Sequence, residues 1–308
     1  DQPPGTLALK WRDLCYTRRS LRVAPPADIL VTNTFWAPLL APRKLGQIHV
    51  SVERMPKGQM CLYRRAARLR ACSQAVGEGI KREASSLSDR VIVIPNPLPF
   101  VPDRPAKSRT SAEQILYVGR IHPVKGVELL LKAFTHAKGS GDIPSTCRLI
   151  MVGPADTGRG GGGEAWWRDT LAKYDRNDIE WLGPIYDPLD LDVQYRSAAV
   201  LAYPTLDEAG EAMPVTPLEA MAWGCIPVVS DLACFRDYLV PNKNGYTFDH
   251  RSPNPVEALA GTLSQALSPS GQNLASAAVK VRESHAVEAI ADQFLADFQS
   301  IQLSPSKQ

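Results

Sequence analysis

The sequence predicts an α/β fold built from doubly wound parallel sheets. Segments typical of strands alternate with segments typical of helices along the chain, which is the pattern of repeated βαβ units. A length of 308 residues corresponds to about two domains. With 44% hydrophobic and 22% charged residues, the composition is globular and excludes a collagen, a disordered protein or a disulfide scaffold.

Three strands are predicted in the first hundred residues. The segments 28–32 and 47–52 are rich in β-branched residues, and the apolar run 91–94 ends at a proline. We expect helices over 63–69 and 73–82, the second with Ser73 as its N-cap.

A polar, proline-bearing stretch follows, and it separates this half from the next. It covers residues 100–111 and has no hydrophobic period, so we place the domain boundary between residues 104 and 105. Beyond it, glycines 160–163 predict a flexible loop. Strands are expected at 114–118, 148–153, 179–183, 200–204 and 226–230, and helices at 126–134, 164–174, 218–223 and 286–301.

Charge is distributed unevenly between the two halves. Residues 1–100 contain 16 basic and 7 acidic residues, a net charge of +9, whereas the remaining residues contain 19 basic and 25 acidic residues, a net charge of −6. A basic amino-terminal half suits an anionic acceptor, a lipid surface or nucleic acid, and it is equally compatible with solvated helix faces.

The cysteine pattern predicts reduced, buried thiols in a cytoplasmic protein. The six cysteines stand singly, with no C-x-x-C pair and no regular spacing, which argues against a zinc site or a disulfide framework. No apolar run approaches the roughly 18 residues that a membrane-spanning helix needs, and no signal-peptide pattern opens the chain. Because the first residue is Asp1, the chain is compatible with a fragment.

The turn after the strand at 114–118 has the features of an anion site. Gly119 would let the backbone approach a ligand closely, and the N-terminus of the following helix favours negative charge. Arg120 and Lys125 could place two cations on one diphosphate. The segment has neither a Walker pattern nor G-x-G-x-x-G, and an ordinary surface turn remains the alternative.

A second candidate site lies in the segment between the strand at 200–204 and the helix at 218–223. Two carboxylates, Glu211 and Glu219, lie eight positions apart, and each could accept paired hydrogen bonds from vicinal hydroxyls. Backbone amides of Met213, Val215 and Thr216 at the start of the helix could bind phosphate oxygens. Glu219 could also be only a carboxylate favoured by the helix dipole.

Together these segments resemble the retaining, nucleotide-sugar-dependent glycosyltransferases of family 4, also called group 1. The order Gly119-Arg120, Lys125-Gly126, Gly153, Trp181-Leu-Gly183, Glu211 to Glu219 and Gly224 to Pro227 carries the resemblance, with Asn244-Gly-Tyr-Thr-Phe248 and Ile94-Pro-Asn96 as further matches. It implies the GT-B fold, in which two Rossmann-like domains face a cleft.

The resemblance also implies roles for individual residues. Arg120 and Lys125 would bind the diphosphate, Glu211 the transferred sugar and Glu219 the ribose, with Arg120, Lys125 and Glu211 as the catalytic set. The implied donor site comprises Gly119, Arg120, Lys125, Gly153, Trp181, Leu182, Gly183, Ile185, Glu211, Ala212, Met213, Pro214, Val215, Thr216 and Glu219. The implied domains are 1–104 on the acceptor side, 105–285 for the donor, and a final segment 286–308 that crosses back to the first domain.

Two features depart from the family pattern. Pro214 occupies a position that is often glycine, so one amide donor is absent. The amino-terminal half is shorter than a complete Rossmann domain and has no opening strand with a glycine-rich loop, so we expect a truncated or reduced acceptor domain.

Candidate acceptor residues follow the first two predicted strands. Ligands of open α/β sheets bind beyond the carboxyl ends of the strands, which favours a group of polar and aromatic residues there. His49 could instead be a structural histidine. The acceptor-side candidates are Thr32, Asn33, Trp36, His49, Glu53 and Arg54.

Three further patterns are assigned no function. Asp190-Leu-Asp192 resembles a metal-binding D-x-D motif, but it follows Pro188 at a predicted helix start, where aspartate acts as a cap. Glycines 160–163 lack the Lys-Ser/Thr of a phosphate loop. The arginines between Arg64 and Arg70 lack interleaved aromatic residues, so we expect no nucleic-acid binding.

The expected function is retaining transfer of a hexose from a nucleotide diphosphate sugar, UDP-sugar first, to an acceptor hydroxyl in polysaccharide, glycolipid or related synthesis. We expect no cofactor and no metal, a cytoplasmic location, and peripheral contact with anionic membrane through the basic half. The alternatives are a nucleotide-sugar-binding module without transfer activity, a phosphorylase of the same fold, and a sucrose- or trehalose-type synthase.

Overall fold

A computed structural model describes residues 7–100, 114–174 and 177–303, which form two compact units. The first unit contains the described residues up to Asn96, the short segment Gly210–Met213 and the last helix from Glu288. The second contains the described residues of Pro97–Ala209 and Pro214–Val287. The boundary predicted between residues 104 and 105 lies outside the described residues.

The described residues form ten strands and twelve α-helices. The strands are β1 (Ile29–Thr32), β2 (Gln47–Val52), β3 (Ala66–Ala71), β4 (Val91–Val93), β5 (Gln114–Val118), β6 (Arg148–Val152), β7 (Ile179–Trp181), β8 (Val200–Tyr203), β9 (Ile226–Ser230) and β10 (Tyr246–Phe248). The helices are α1 (Leu7–Val23), α2 (Ala37–Leu40), α3 (Gln74–Glu83), α4 (Val127–Ser140), α5 (Glu164–Ala172), α6 (Pro188–Ser197), α7 (Val215–Ala222), α8 (Pro255–Leu267), α9 (Pro269–Gln272), α10 (Ala275–Ala278), α11 (Val281–Ser284) and α12 (Val287–Leu303).

The first unit contains a parallel sheet in the order β1-β2-β3-β4. The three strands predicted for this half are confirmed as β1, β2 and β4. Strand β2 buries Ile48, Val50 and Val52. The predicted N-cap of α3 is also confirmed, because the Ser73 hydroxyl accepts a hydrogen bond from the amide of Val76 at 3.2 Å.

The helix predicted over 63–69 is wrong, because this segment forms strand β3. Alanine, arginine and leucine favour helices in isolation, but pairing with β2 and β4 overrides that preference. Leu69 is fully buried, and two of the arginines in this segment have acidic partners. Arg68 pairs with Asp297, and the buried Arg70 pairs with Glu53.

The last helix, α12, packs on the sheet of the first unit. Its Asp297 is buried and lies 3.2 Å from Nε2 of His49 and 2.7 Å from Nε of Arg68. The rings of Phe294 and Phe298 lie beside the imidazole of His49, with centroids 6.2 and 5.2 Å away. The helix predicted at 286–301 is thus confirmed, and its buried face carries a charge as well as apolar side chains.

The second unit contains six parallel strands in the order β10-β9-β8-β5-β6-β7. From β5 the chain first adds β6 and β7 on one side and then returns to add β8, β9 and β10 on the other. The strand order therefore reverses between β5 and β8, which is the position where ligands of open α/β sheets bind, beyond the carboxyl ends of the strands. The five strands predicted here are confirmed as β5 to β9.

Helices α4 and α8 cover the core of the second sheet. Leu130 and Phe134 of α4 and Leu263 of α8 are fully buried, as is Trp167 of α5. This burial explains the apolar spacing that predicted α4. No helix within the described ranges is long and apolar enough to span a membrane. None of the six cysteines, all of which are described, forms a disulfide bond, as predicted, but Cys15 and Cys61 are exposed, so the predicted burial is wrong for these two.

Candidate functional site

Glycines bring the ends of β5 and β6 into direct backbone contact. A Cβ atom on Gly153 would lie 1.8 Å from the carbonyl oxygen of Gly119, and Gly153 has a φ of 145°. Only glycine fits this approach without moving backbone. The amide of Gly119 continues the ladder by donating to Val152 O at 3.0 Å. The two predicted glycines therefore lie in contact at the carboxyl edge of the second sheet.

The turn from β5 to α4 also packs against the end of β8. Gly126 has a φ of 69°, and a Cβ atom there would lie 1.9 Å from the carbonyl oxygen of Pro204. The carbonyl of Val124 accepts a hydrogen bond from the amide of Leu206 at 2.8 Å. Lys125 is largely buried within this turn. The two loops at the reversal of strand order are thus hydrogen-bonded to each other.

Arg120 is exposed and is held by the glycine-rich loop. Its Nη1 donates to the carbonyl of Gly160 at 3.1 Å. The amides of Gly161, Gly162 and Gly163 donate to carbonyls of Asp156, Ile121 and Ala155 at 2.8, 2.8 and 2.7 Å. The predicted loop at 160–163 is confirmed, and these hydrogen bonds connect it to the chain beside Arg120.

The segment after β7 completes the same edge of the sheet. The indole Nε1 of Trp181 donates to Gly153 O at 3.0 Å, and the amide of Gly153 donates to Gly183 O at 2.9 Å. The amide of Leu182 bonds to Met151 O at 3.0 Å. The structure thus joins the predicted Trp181, Leu182 and Gly183 to the end of β6, with Ile185 two residues beyond Gly183.

Glu219 lies on α7 and receives a hydrogen bond from a buried tyrosine. The Tyr195 hydroxyl of α6 donates to Glu219 Oε2 at 2.8 Å. Burial raises the pKa of Glu219, the Tyr195 hydrogen bond opposes that rise, and the negative charge of Asp192 adds to it. Nothing in the sequence pattern pointed to Tyr195, because a tyrosine in a helix is most often part of the core.

Glu211 belongs to a segment that clusters with the first unit. It is 8% exposed, and the carbonyl of its neighbour Ala212 accepts a hydrogen bond from the Ser73 hydroxyl at 2.6 Å. The Met213 sulfur lies 3.2 Å from the amide of Asn96. The carbonyl of Pro214, the N-cap residue of α7, accepts from the buried Tyr238 hydroxyl at 2.8 Å. Glu211 is thus assigned to the first unit, and Glu219, eight residues later in the chain, to the second.

Val215 and Thr216 open α7, so the helix begins three residues before the predicted start at residue 218. They are the first two residues of the helix and are partly exposed. Amides in the first turn of a helix have no partner within the helix, and they are favourable donors for anions. The predicted position of these two donors is therefore compatible with a phosphate site.

The acceptor-side candidates fall into two groups. Thr32 ends β1, and Asn33 and Trp36 follow it; Asn33, Glu53 and Arg54 are exposed. His49 is fully buried beneath α12, where it pairs with Asp297, so the prediction that it faces an acceptor is wrong. Both faces of β2 are buried. The alternation of residues along the strand could not indicate that α12 covers the face that carries His49.

Glu53 is supported by a buried network that the sequence did not indicate. Nη1 of Arg70 bonds to the Glu53 carboxylate, and its Nη2 donates to Asn96 Oδ1 at 2.8 Å. The guanidinium also lies over the ring of Phe294 at 5.1 Å. A buried cation thus holds an exposed carboxylate in place after β2.

The D-x-D pattern at Asp190 and Asp192 serves the packing of α6. The helix cap is Asp187, whose side chain accepts from the amide of Leu189 at 2.8 Å, so the cap predicted for this pair lies one turn earlier. Asp192 accepts from Nε1 of Trp223 at 3.1 Å. Among the described residues, no group of three or more His, Cys, Asp or Glu side chains is arranged to hold a metal ion.

The family model described as "Glycosyl transferases group 1" matches residues 103–280, which is more than half of the chain. The chain belongs to the group 1 glycosyltransferases. The match covers Gly119 to Gly126, Gly153, Trp181 to Gly183 and both carboxylates of the Glu211–Glu219 pattern. A search of curated protein sequences finds no significant match.

Solved structures similar to this group 1 glycosyltransferase have the GT-B fold. Sucrose-phosphate synthase from Thermosynechococcus elongatus has a TM-score of 0.77 at 19% identity, covering 98% of this chain and 80% of that one. A UDP-forming α,α-trehalose-phosphate synthase from Burkholderia xenovorans has a TM-score of 0.74 at 14% identity, with coverages of 96% and 79%. HepE of Anabaena, solved with UDP and glucose, has a TM-score of 0.73 at 17% identity, with coverages of 97% and 84%. At these identities the similarity establishes the fold, and the predicted GT-B class is confirmed.

Proposed function

We propose that the chain is a retaining hexosyltransferase that uses a UDP-sugar as its donor. The observation that carries the proposal is the constellation at the reversal of strand order in the second sheet. There, Arg120 and Lys125 follow β5 in a turn that is bonded to the loop after β8. Loops at such a position are where nucleotides bind in open α/β sheets, and paired cations suit a diphosphate.

UDP is the proposed nucleotide. Among the similar structures, HepE was solved with UDP and the trehalose-phosphate synthase is UDP-forming, which supports the same donor class here. In the proposal, the Trp181 to Ile185 segment holds the base and Glu219 the ribose. Glu211 binds the transferred sugar, while the backbone of Ala212 to Thr216 lies against the donor phosphates.

The proposed reaction keeps the configuration of the sugar. The acceptor hydroxyl attacks the anomeric carbon as the bond to the UDP oxygen breaks, on the same face of the ring. The hydroxyl proton passes to the departing phosphate, so that atoms and charge balance without a protein nucleophile. Charge grows on the diphosphate in this transition state, and preorganised donors aimed at it lower the barrier.

Metal-independent transfer is part of the proposal. Arg120, Lys125 and the first amides of α7 would stabilise the leaving diphosphate, which is the task that a divalent cation performs in other nucleotide sites. The Arg120 guanidinium donates a hydrogen bond to the carbonyl of Gly160 at 3.1 Å, which places this cation beside the turn after β5. No cofactor is proposed besides the nucleotide-sugar substrate.

The acceptor is proposed to meet the first unit at Glu53. This carboxylate is exposed but held by the buried Arg70, which suits a group that accepts hydrogen bonds from a hydroxyl. Asn33, Trp36 and Arg54 are further candidates of the same unit. A glycan or a lipid-linked sugar presents such hydroxyls, in polysaccharide or glycolipid synthesis.

A peripheral membrane contact at the cytoplasmic face is proposed for α1. Leu7, Trp11 and Tyr16 of this helix are 85%, 64% and 74% exposed. Basic and exposed apolar side chains on one helix suit an anionic lipid surface. Sedimentation with phosphatidylglycerol vesicles, but not with phosphatidylcholine vesicles, is the expected result, and salt should weaken it. The basic residues of α1 are Lys10, Arg12, Arg18, Arg19 and Arg22.

Release of UDP from UDP-glucose in EDTA tests the proposed reaction. A panel of oligosaccharides and glycolipids would serve as acceptors, and proton NMR of the product would give the anomeric configuration. Arg120→Ala should lower turnover by roughly a hundredfold to a thousandfold, since one preorganised donor is lost. Arg148→Ala is the matched control, because Arg148 is an exposed arginine at the amino end of β6, paired with Glu180.

The outcomes separate the proposal from its alternatives. Equal turnover in the two arginine variants would contradict it. Binding of UDP-glucose without release of UDP, with every acceptor, would favour a binding module. Transfer to small sugar phosphates alone would favour a sucrose- or trehalose-type synthase.

A further inference from the structure

One buried polar contact in the second unit has no role in the function proposed so far. Tyr195 has no exposed surface, yet its hydroxyl donates to Oε2 of the partly exposed Glu219 at 2.8 Å. A buried hydroxyl needs a partner, and a carboxylate is the strongest available acceptor. Phenylalanine would fill the same core space, so the hydroxyl serves Glu219 and not the packing of the core.

Contacts made by Tyr195 and by neighbouring residues of α6 fix the position of this tyrosine. Its carbonyl accepts a hydrogen bond from Cys225 Sγ at 3.1 Å. One turn earlier, Asp192 accepts from Nε1 of Trp223, and the guanidinium of Arg196 lies 5.7 Å from the ring centroid of the same tryptophan. These contacts connect helix α6 to the end of α7. They hold the Tyr195 hydroxyl against the Glu219 carboxylate.

We propose that Tyr195 is a positioning residue that orients Glu219 for the vicinal hydroxyls of the nucleotide ribose, an inference that rests on the proposed function. The hydroxyl restrains one carboxylate oxygen, Oε2. The other oxygen, Oε1, then keeps a single direction for accepting ligand hydrogen bonds. Preorganisation of this kind strengthens binding because the rotamer entropy is lost before the ligand arrives.

The protonation of Glu219 depends on the same contact. Burial raises its pKa, and so does the negative charge of Asp192, whereas the Tyr195 hydrogen bond lowers it. Asp192 and Tyr195 both lie on α6, and Cys225, the residue that precedes β9, contacts Tyr195. The pKa of Tyr195 is itself raised well above its ordinary value, by burial first and then by Glu219, so the phenol stays a donor. Loss of the hydroxyl should therefore raise the pKa of Glu219 further.

The test measures the affinity of Tyr195→Phe for UDP and for 2′,3′-dideoxy-UDP by calorimetry. We expect the variant to bind UDP about tenfold more weakly, since the Glu219 carboxylate must then be ordered when the ligand binds, with little change for the dideoxy nucleotide. The pH at which UDP binding falls to half on acidification should rise. Tyr246→Phe is the matched control, because Tyr246 is a buried tyrosine of the same unit, on β10.

Two further variants keep the proposal testable. In a Glu219→Ala background, Tyr195→Phe should cause no additional loss of UDP affinity. Should the Phe variant not fold, 3,5-difluorotyrosine at position 195 retains the hydroxyl and makes it a stronger donor. The acid midpoint of UDP binding should then fall instead of rising.

The outcomes separate this inference from the proposed function. If wild type binds UDP and Glu219→Ala weakens binding, but Tyr195→Phe behaves like Tyr246→Phe, the inference is overturned and the proposed function stands. Equal weakening of both nucleotides would assign Tyr195 a merely structural role and would also overturn it. If the wild-type protein does not bind UDP, both the inference and the proposed function are contradicted.

Discussion

The two units hold the ends of their strands in different ways. In the second unit the turns are made by backbone contacts, with Gly119 against Gly153 and Gly126 against Pro204. In the first unit the corresponding region is held by side chains, with Arg70 joining Glu53 and Asn96. Backbone contact leaves a glycine signature in the sequence, whereas a side-chain network leaves only scattered charged residues.

The order of the strands also differs between the two sheets. The second sheet reverses its order between β5 and β8, which by itself indicates a ligand site. The first sheet runs β1-β2-β3-β4 in one direction within the described residues. Topology therefore favours a ligand site at this edge of the second sheet independently of any motif, and it gives no equivalent indication in the first sheet.

The largest expected effect concerns the charged network of the first unit. Asp297→Ala should lower the free energy of unfolding by about 3–5 kcal/mol, because it leaves the buried His49 and the largely buried Arg68 without their carboxylate. Asp292→Ala, on the exposed face of the same helix, is the control and should change stability little. Urea denaturation measures both, and equal midpoints would show that α12 is held by apolar contacts alone.

The backbone contact of the second unit predicts a smaller loss. Gly153→Ala should cost about 3 kcal/mol, since its Cβ would lie 1.8 Å from a backbone oxygen at a φ of 145°. Gly139→Ala is the control, and we expect it to raise the free energy of unfolding instead of lowering it. It lies in α4 with nothing within 4 Å of the added carbon, and should stabilise by about 0.5–1 kcal/mol. A Gly153→Ala variant as stable as wild type would contradict the close approach of the two backbones.

Acid sensitivity offers a third comparison between the units. Burial lowers the pKa of His49 and of His285 below 6.5, although Asp297 opposes the shift at His49. Because the folded state binds fewer protons than the unfolded state, stability should fall as pH drops below about 6.5.

His285→Gln should flatten that acid slope, measured by urea denaturation between pH 7 and 5. His136→Gln, at an exposed position on α4, should leave the slope as it is in wild type. An unchanged slope in the His285 variant would mean that carboxylates account for the acid loss.

The sequence predicted the second unit more completely than the first. Gly119 was identified as a glycine that follows a strand, and Gly126 and Gly153 through the family resemblance; a Cβ atom on either of the latter two would lie within 2 Å of a backbone oxygen. Strands β5 to β9 were recognised from continuous apolar runs. Strand β3 was missed because Arg68 and Arg70 suggest a solvated helix until Asp297 and Glu53 are known to neutralise them.

Long-range partners explain the remaining errors. His49 was placed on an open face because the helix that covers it lies almost 250 residues later in the chain. Helix α1 was not predicted, since only Thr17 and Leu21 are buried and its apolar residues form no stripe. Tyr195 looked like any core tyrosine until its hydroxyl was found on Glu219.

The most direct test of the central claim is nucleotide binding in the presence of EDTA. At 100 times its dissociation constant, UDP should stabilise the protein by about 2.7 kcal/mol in a thermal-shift experiment. The shift should disappear in Glu219→Ala and persist in Glu180→Ala, which changes an exposed glutamate of β7. Absence of a shift with UDP, or a shift that survives in Glu219→Ala, would contradict the assignment of the donor site to the carboxyl edge of the second sheet.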